Sequence, residues 1–249
     1  MSALQSREKR LGALYSFVLV VILWQAVSML LKIPIIPTPV AVFANILQIF
    51  PSQMEIHLLY SLGRILAGIA ISILLGVALG FLMGYFARAD KFLSPLVYFT
   101  YPVPKIALLP IVMLLFGLGE ASKLIMIVLI IVFQIIITAR DAVKNIPQEI
   151  FRSLQSLGAS RRQIFSEIII PASLPEVLTA TRLALGTAVS ILFFTETFGT
   201  QYGMGYFVMD AWMRVNYLDM YAGIVMLSFL GFCLFIMLDM AENYFCSWR

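Results

Sequence analysis

Charged side chains are scarce in this sequence, and their scarcity excludes most soluble folds. Asp, Glu, Lys and Arg make up 12% of the 249 residues, whereas 61% are hydrophobic. No polar stretch is long enough to build a separate soluble core, and the chain has no internal repeat or low-complexity segment. Several apolar runs approach the roughly 20 residues that a helix needs to cross a bilayer. The composition predicts a single all-α polytopic membrane domain over residues 1–249.

Side chains that usually carry catalysis or bind metals are also few. The chain has one histidine, His57, and two cysteines, Cys233 and Cys246, which form neither a disulfide framework nor a paired metal motif. No two acids stand at matching depths of the apolar segments, so an intramembrane protease or transferase site is hard to assemble. The phosphate-binding pattern G-x-x-x-x-G-K-[ST] is absent, because "GLGEASK" at residues 117–123 lacks the adjacent Gly-Lys. We therefore expect no enzymatic activity, cofactor or metal in this chain.

Six apolar segments are predicted to cross the membrane. They cover residues 11–31, 58–84, 92–118, 123–139, 174–195 and 219–239. Four prolines interrupt the third segment: Pro95, Pro102, Pro104 and Pro110. Because proline removes a helical hydrogen bond and clashes with the preceding turn, we expect this segment to be one broken crossing.

Two segments near the start of the sequence need separate interpretations. The first apolar run follows a basic stretch but is long and has no small-residue cleavage site, so we expect a retained first span. Residues 36–53 place apolar side chains at helical spacing between prolines, which predicts a short helix lying in the interface. The predicted apolar face of that helix consists of Val40, Phe43, Ile46, Leu47 and Phe50.

The distribution of Lys and Arg predicts that both termini are cytoplasmic. With the N-terminus inside, the positive residues on the cytoplasmic side are Arg7, Lys9, Arg10, Arg88, Lys91, Arg140, Lys144, Arg152, Arg161, Arg162 and Arg249. Those at or near the outer side are Lys32, Arg64, Lys105, Lys123 and Arg214, and Arg182 lies within the fifth span. The larger inner group follows the positive-inside rule. Since the positive residues flank the spans, the net charge of +4 does not indicate nucleic-acid binding.

The longest polar interval, residues 140–173, lies between spans four and five and predicts two short helices. Three cap pairs are expected: Asn145 with Gln148, Ser160 with Gln163, and Ser173 with Glu176. Gly158 is expected to end the first helix in a left-handed conformation. Each helix has an apolar face, formed by Ile150, Leu154 and Leu157 in the first and by Ile164, Phe165 and Ile168 in the second. We expect these faces to pack on the membrane bundle or on another protein.

Three motifs resemble one transporter family. In the polar interval, Gly158 is followed after nine residues by Ile168, Ile170 and Pro171, as in the cytoplasmic "EAA" loop of binding-protein-dependent ABC importer permeases. Two other stretches, "PVPKIALLPIVMLLFGLGEASK" at residues 102–123 and the frame "LP…RLALG…E…FG…GMGY" at residues 174–206, are similar to the permease group that serves nitrate, bicarbonate, taurine and alkanesulfonate importers. The likeness covers nearly the whole chain.

This resemblance implies an architecture and a set of partners. The fold would be that of type I ABC importers, with six transmembrane helices and a coupling helix between spans four and five. Two copies of the permease would bind two cytoplasmic ATPase subunits, which hold ATP and Mg, and an extracytoplasmic binding protein, all at a bacterial inner membrane. The residues expected to couple to the ATPase are Arg152, Ser153, Leu154, Gln155, Ser156, Leu157, Gly158, Ala159, Ser160 and Arg161.

The sequence departs from the family pattern where "EAA" would stand. Arg152, Ser153 and Leu154 occupy those positions, so the acidic contact expected there is absent and its role does not carry over. Glu149, one turn earlier, either supplies a displaced acidic contact or favours the helix N-terminus.

Two intramembrane patterns predict different roles. Small residues recur every four positions in span two and predict a helix-packing seam: Gly68, Ser72, Gly76, Gly80 and Gly84. Span five carries a polar face that is interpreted as lining the translocation path, with packing as the alternative: Thr179, Arg182, Gly186, Ser190, Phe193, Glu196 and Thr197. Gln134 and Thr138 in span four are further candidates, whereas Asp239 and Glu242 are interpreted as solvated acids without a special role.

The substrate stays open at this point. The resemblance favours a small anion such as nitrate, bicarbonate, taurine or an alkanesulfonate, and Arg182 agrees with an anion. Similar permeases import thiamine-precursor pyrimidines or riboflavin-like compounds, which is the alternative within the same architecture. A self-sufficient secondary transporter or channel is the alternative of another class, but we find neither ion-coupling residues nor inverted repeats.

Overall fold

A computed structural model describes the backbone of residues 2–246 and the side chains of residue 12 and residues 15–246. All regular structure in that part of the chain is helical. The α-helices are α1 (Ser2–Leu31), α2 (Pro39–Ile49), α3 (Glu55–Tyr85), α4 (Ala87–Thr100), α5 (Leu109–Phe116), α6 (Glu120–Lys144), α7 (Gln148–Ser156), α8 (Arg161–Ile164), α9 (Ile170–Glu196), α10 (Met204–Met213) and α11 (Tyr217–Phe245). Arg249 and the side chains of Arg7, Lys9 and Arg10, four of the positive residues predicted on the cytoplasmic side, lie outside the described part.

Four helical stretches are long and apolar enough to cross a membrane. They are Pro39–Tyr85, Glu120–Lys144, Arg161–Glu196 and Tyr217–Phe245. The pair formed by α4 and residues Lys105–Phe116 passes the same test as a unit, so the number rises to five if this bent pair is one span. In α1 the described apolar part is Tyr15–Leu31. The all-α polytopic fold is therefore confirmed.

Helices α3 and α6 pack side by side in the same direction along the five small residues of the predicted seam. A Cβ atom built on Gly68 would lie 2.5 Å from Ile127 Cγ2, and one on Gly84 would lie 2.6 Å from Val143 Cβ. Residue numbers increase in the same direction along both helices, from the Gly68–Ile127 contact to the Gly84–Val143 contact, so the two helices are parallel. Side chains at the glycine positions would separate them, because close approach of helix backbones requires small residues.

The parallel pair explains why the chain must recross the membrane between α3 and α6. Helix α3 ends where α6 ends, so the connection through α4 and α5 has to return along the whole length of the pair. It does so in two halves that are bent by 80° where the chain passes Pro102 and Pro104. This geometry supports the interpretation of the proline-rich segment as one broken crossing.

Two prolines close to the ends of predicted helical segments lie inside continuous helices. Pro51 falls in a π-helical turn, Phe50–Met54, which joins α2 to α3. The predicted helix is present, but it is not separate, because this turn continues it into α3. Val40 and Leu47 of its proposed apolar face are 74% and 80% exposed, whereas Val42 is buried. Its place in the membrane interface stays a prediction. Wider π-helical turns let a helix continue past a residue that has no N–H to donate.

A second π-helical turn makes α8, the second helix of the loop, continuous with α9, the helix of the fifth predicted span. A π-helical turn, Phe165–Ile169, joins α8 to α9 just before Pro171. The helix that contains this span therefore begins thirteen residues before the predicted span start at residue 174, since it runs without a break from Arg161 to Glu196. The loop is thus rigidly connected to a membrane helix.

Candidate functional site

Helix α7 and the turn that follows it project from one end of the bundle, which we call the α7 end. Gly158 has a φ of +80°, and a Cβ atom added to it would meet nothing within 4 Å. The turn is closed by bonds from Gly158 N to Gln155 O at 3.0 Å and from Ala159 N to Leu154 O at 3.0 Å. Only the backbone conformation therefore favours glycine here, as at many helix C-termini.

One of the three predicted caps is present. Ser160 N donates to Gln163 Oε1 at 2.8 Å and Gln163 N donates to Ser160 Oγ at 3.4 Å, which confirms the capping box at the start of α8. The other two predictions are wrong. Asn145 ends α6, and α7 begins after Pro147 with no side-chain cap. Ser173 lies inside α9, and its buried hydroxyl finds no hydrogen-bond partner among the described residues.

Helix α7 packs against the ends of α3 and α6 and against the start of the α8–α9 helix. Phe151 and Leu154 pack on a buried cluster that includes Val143 at the end of α6 and Ile164 and Ile168 at the start of the α8–α9 helix. The ring of Tyr85, at the end of α3, lies 6.3 Å from Phe151 and 5.1 Å from Phe165.

The outward side of α7 is exposed and partly apolar. Leu157 is 84% exposed and Ile150 is 42% exposed. The predicted apolar face of Ile150, Leu154 and Leu157 is therefore divided, because only Leu154 turns towards the bundle. A cleft of about 590 Å³ opens beside it, between α3, the end of α6 and α7, and is lined by Phe86, Arg152, Gln155 and Arg161 among others.

Arg64, Glu120 and Glu196 form a charged cluster at the opposite end of the bundle, which we call the α10 end. Arg64 Nη1 lies 2.7 Å from Glu196 Oε1, and its Nη2 lies 2.5 Å from Glu120 Oε1. Ser61 Oγ lies 2.9 Å from both carboxylate oxygens of Glu196. The cluster joins α3, α6 and α9.

A glycine-rich turn covers Glu196 from the other side. Gly205 N donates to Glu196 Oε2 at 2.9 Å, and Met204 N donates to Ser61 Oγ at 2.8 Å. A Cβ atom on Gly203 would lie 2.4 Å from Glu196 Cδ, so the turn needs glycine to approach the carboxylate. The structure corrects the assignment of Glu196 to the translocation path: its side chain is 0% exposed and serves to hold α9, α10 and α3 together.

Arg182 is also placed differently from the prediction. Its Nη2 lies 2.7 Å from Asp239 Oδ1 and contacts Glu242 Oε2, so α9 is tied to α11. Its guanidinium stacks over Phe235 at 5.5 Å. Asp239 and Glu242 therefore do have a role, because they neutralise an arginine that would otherwise be a single positive charge inside the membrane.

The polar face of α9 is exposed in the middle of the helix only. Gly186, Thr187 and Ser190 are exposed, and a Cβ atom on Gly186 would meet nothing within 4 Å. The remaining predicted path residues are partly buried: Thr179, Phe193 and Thr197. Gly186 also lines a cleft between α9 and α11.

A second mid-helix cleft lies where α4 gives way to α5. Lys105, which the sequence placed with the outer positive residues, is 9% exposed and lines a cleft of about 440 Å³ together with Gln134 of α6 and Thr187 of α9. Lys105 does not lie at an outer end of the bundle, because the bend between α4 and α5 places it beside the middle of α6 and α9. The sequence offered a signal in "PVPK", where prolines leave carbonyl groups that a lysine can bind.

Comparison with known proteins identifies the family. The taurine transport system permease protein TauC of Escherichia coli is 32% identical over 239 residues, which cover 93% of this chain and 87% of TauC. The formylaminopyrimidine transport permease protein ThiX of Halalkalibacterium halodurans is 30% identical over 234 residues, which cover 94% of each chain. The putative aliphatic sulfonates transport permease protein SsuC of Bacillus subtilis is 28% identical and covers 92% of this chain and 84% of SsuC.

The fold matches a solved transporter. A structure of the MetNI methionine ABC transporter in an inward-facing conformation superposes with a TM-score of 0.63 at 20% identity, covering 78% of this chain and 99% of that chain. Residues 72–244 match the family described as binding-protein-dependent transport system inner membrane component. This chain belongs to that family and is a multi-pass permease subunit of an ABC importer.

Proposed function

We propose that two copies of this chain form the membrane pathway of an importer for a small anion, driven by two cytoplasmic ATPase subunits that bind ATP and Mg. An extracytoplasmic binding protein delivers the solute. The relatives named for taurine and aliphatic sulfonates support a solute with an anionic group, because both of these solutes carry a sulfonate. The position of α7 carries the mechanical part of the proposal.

Helix α7 is built to pass a displacement to the membrane helices. Its inner face contacts the ends of α3 and α6 and the start of the α8–α9 helix through Tyr85, Val143 and Phe165. Its outer face leaves Leu157 exposed for a partner. Because α8 is continuous with α9, movement of the turn at Gly158 also moves the exposed face around Gly186 and Ser190.

The α7 end is proposed to face the cytoplasm. Arg140, Lys144, Arg152 and Arg161 all lie there, and Lys144 is joined to Asp90 at the start of α4 by a 2.5 Å ion pair. Positive residues accumulate on the cytoplasmic side of membrane proteins. Both termini are expected on this side.

Co-purification with its partners tests the proposed function. The chain should be expressed with the ATPase and binding protein encoded beside it, and each binding protein should be screened by thermal shift with taurine, nitrate, bicarbonate and formylaminopyrimidine. We expect a complex of two permease and two ATPase chains and stabilisation by an anion. A chain that transports a solute without any ATPase would be a secondary transporter or channel, and the proposal would be wrong.

Import of a neutral pyrimidine is the second candidate. It is favoured by the similarity to ThiX, which covers nearly all of both chains. Stabilisation of the binding protein by formylaminopyrimidine alone would select it.

A further inference from the structure

We propose that Lys105, Gln134 and Thr187 form a subsite for the anionic group of the transported solute, halfway across the membrane. This inference rests on the proposed importer function and adds to it the residues that contact the solute. The site is the cleft between the α4–α5 break, α6 and α9, whose lining includes Tyr101, Lys105, Ile106, Gln134, Thr187 and Ile191.

Lys105 supplies a positive charge that no carboxylate neutralises. No Asp or Glu oxygen in the described part of the chain lies within the 4.0 Å that defines an ion pair with its ammonium group. Arg64 and Arg182, in contrast, are each paired with two acids. A charge inside a membrane usually faces a partner or a water-filled cavity, and Lys105 faces the cleft.

The ammonium group also keeps one N–H free for a ligand. Its Nζ donates to Thr100 O at 3.0 Å and to Tyr101 O at 2.9 Å, the carbonyls left open where α4 ends. An ammonium group has three donors. Phe133 fixes the side chain further, with Nζ 4.7 Å from its ring centroid. Lys105 is therefore held in place with one donor unused.

Two neutral polar groups complete the subsite. The Gln134 amide and the Thr187 hydroxyl make no side-chain hydrogen bond to any residue that the structure describes. The hydroxyls of the other α9 threonines, Thr179, Thr181 and Thr195, all bond to the backbone one turn or less away. Both side chains line the same cleft as Lys105. A carboxylate, sulfonate or nitrate group accepts hydrogen bonds, and these three side chains can donate them.

The depth of the cleft suits a transport intermediate. Gln134 lies fourteen residues after Glu120 at the α10 end of α6, which corresponds to roughly 21 Å of helix, with ten residues left before Lys144. The cleft volume of about 440 Å³ falls within the range of small-ligand sites. The exposed face of α9 at Gly186 and Ser190 adjoins it, so a solute on the path would pass Thr187.

The test measures solute transported per ATP hydrolysed in proteoliposomes that contain the permease, its ATPase and its binding protein. The probes that carry an anionic group are nitrate, bicarbonate and the zwitterion taurine, and the probe without one is formylaminopyrimidine. Lys105→Met removes the charge and should lower anion transport per ATP by about tenfold or more, because a charged hydrogen bond is lost. Lys105→Arg keeps the charge and should retain most of it.

Two further variants, Thr187→Val and Gln134→Leu, test the subsite and leave the hydrogen bonds from Lys105 to Thr100 O and Tyr101 O in place. Each should lower anion transport per ATP by about threefold or more, as expected for one neutral hydrogen bond. The matched control is Thr181→Val, which makes the same change on the same helix at a buried hydroxyl bonded to Val177 O. We expect it to leave the ratio unchanged.

Three outcomes would overturn the subsite. The first is an unchanged amount of anion transported per ATP in Lys105→Met. The second is an unchanged amount in both Thr187→Val and Gln134→Leu, which counts even if Lys105→Met fails to assemble. The third is a wild-type importer that transports formylaminopyrimidine and none of the other probes. In the first two cases the proposed import of an anion survives. In the third the chain is still an ATP-driven importer, but for the neutral pyrimidine that is the second candidate. A wild-type chain that binds no ATPase overturns the proposed function itself, and the subsite with it.

Discussion

Arg64 and Glu196 form an ion pair of 2.7 Å between α3 and the end of α9, and neither side chain is more than 3% exposed. A buried ion pair is strongly destabilised when one member is lost, because the other charge stays behind without compensation. We expect Arg64→Met to lower the free energy of unfolding by about 3–5 kcal/mol. Thermal unfolding of the purified complex in detergent measures this.

A second substitution and a surface pair serve as controls for that experiment. Adding Glu196→Gln to Arg64→Met should restore much of the stability, because the amide removes the uncompensated charge. Arg214→Met breaks an exposed pair with Asp210 and should change stability by at most about 1 kcal/mol. Equal losses in Arg64→Met and Arg214→Met would show that the Arg64 cluster does not hold the α10 end together.

The α3–α6 seam predicts that a single methyl group is harmful at Gly80. Its Cβ atom would lie 2.6 Å from Ala139 Cβ and 2.7 Å from the backbone oxygen of Ile136, which cannot rotate away. Gly80→Ala should destabilise the complex by about 1–3 kcal/mol through overpacking. Gly63→Ala, on the same helix with nothing within 4 Å, is the control. Equal thermal stability of the two variants would contradict the packing role of the seam.

The sequence predicted features that depend on local spacing. The seam residues could be found because small side chains recur every four positions, and the Ser160–Gln163 box because its two members are three residues apart. The π-helical turns at Pro51 and Pro171 could not, since proline is read in a sequence as a helix boundary. A membrane helix that continues through a wider turn gives no compositional signal of its own.

Contacts between distant segments were beyond the sequence for a different reason. Arg64, Glu120 and Glu196 belong to three helices, and their meeting depends on the parallel register of α3 and α6 and on the turn around Gly203. The periodicity of α9 placed Glu196 close to the polar face of the helix. It could not show that α10 folds over that end of the helix and buries the carboxylate.

The exposed face of α9 predicts where bulk blocks transport. Ser190→Trp and Gly186→Trp should abolish uptake while the ATPase still co-purifies, because both positions are exposed and Gly186 has open space around it. Leu74→Trp provides the control, since it adds the same bulk at a position that is 71% exposed on another helix, α3. Uptake by proteoliposomes reports the result. Normal transport in both α9 variants would remove this face from the pathway.

The turn at Gly158 predicts a separation of assembly from coupling. Gly158→Val introduces a β-branched residue at a φ of +80°, with a strain of about 1–2 kcal/mol, although its side chain would meet no neighbouring atom. The strain acts on the turn that holds Leu157 outward, while the membrane helices stay unchanged. We expect normal insertion and dimer formation, with loss of ATPase binding or of its stimulation by loaded binding protein.

Gly158→Asn is the matched variant for this prediction. Asparagine adopts left-handed conformations more readily than other residues with a side chain, so it should keep both ATPase binding and stimulation. If the valine variant behaves like the asparagine variant in ATP hydrolysis and co-purification, the backbone at Gly158 does not transmit the signal. If both variants fail, the surface of the turn, and not its conformation, is what the ATPase requires, because any side chain at this position projects into open space.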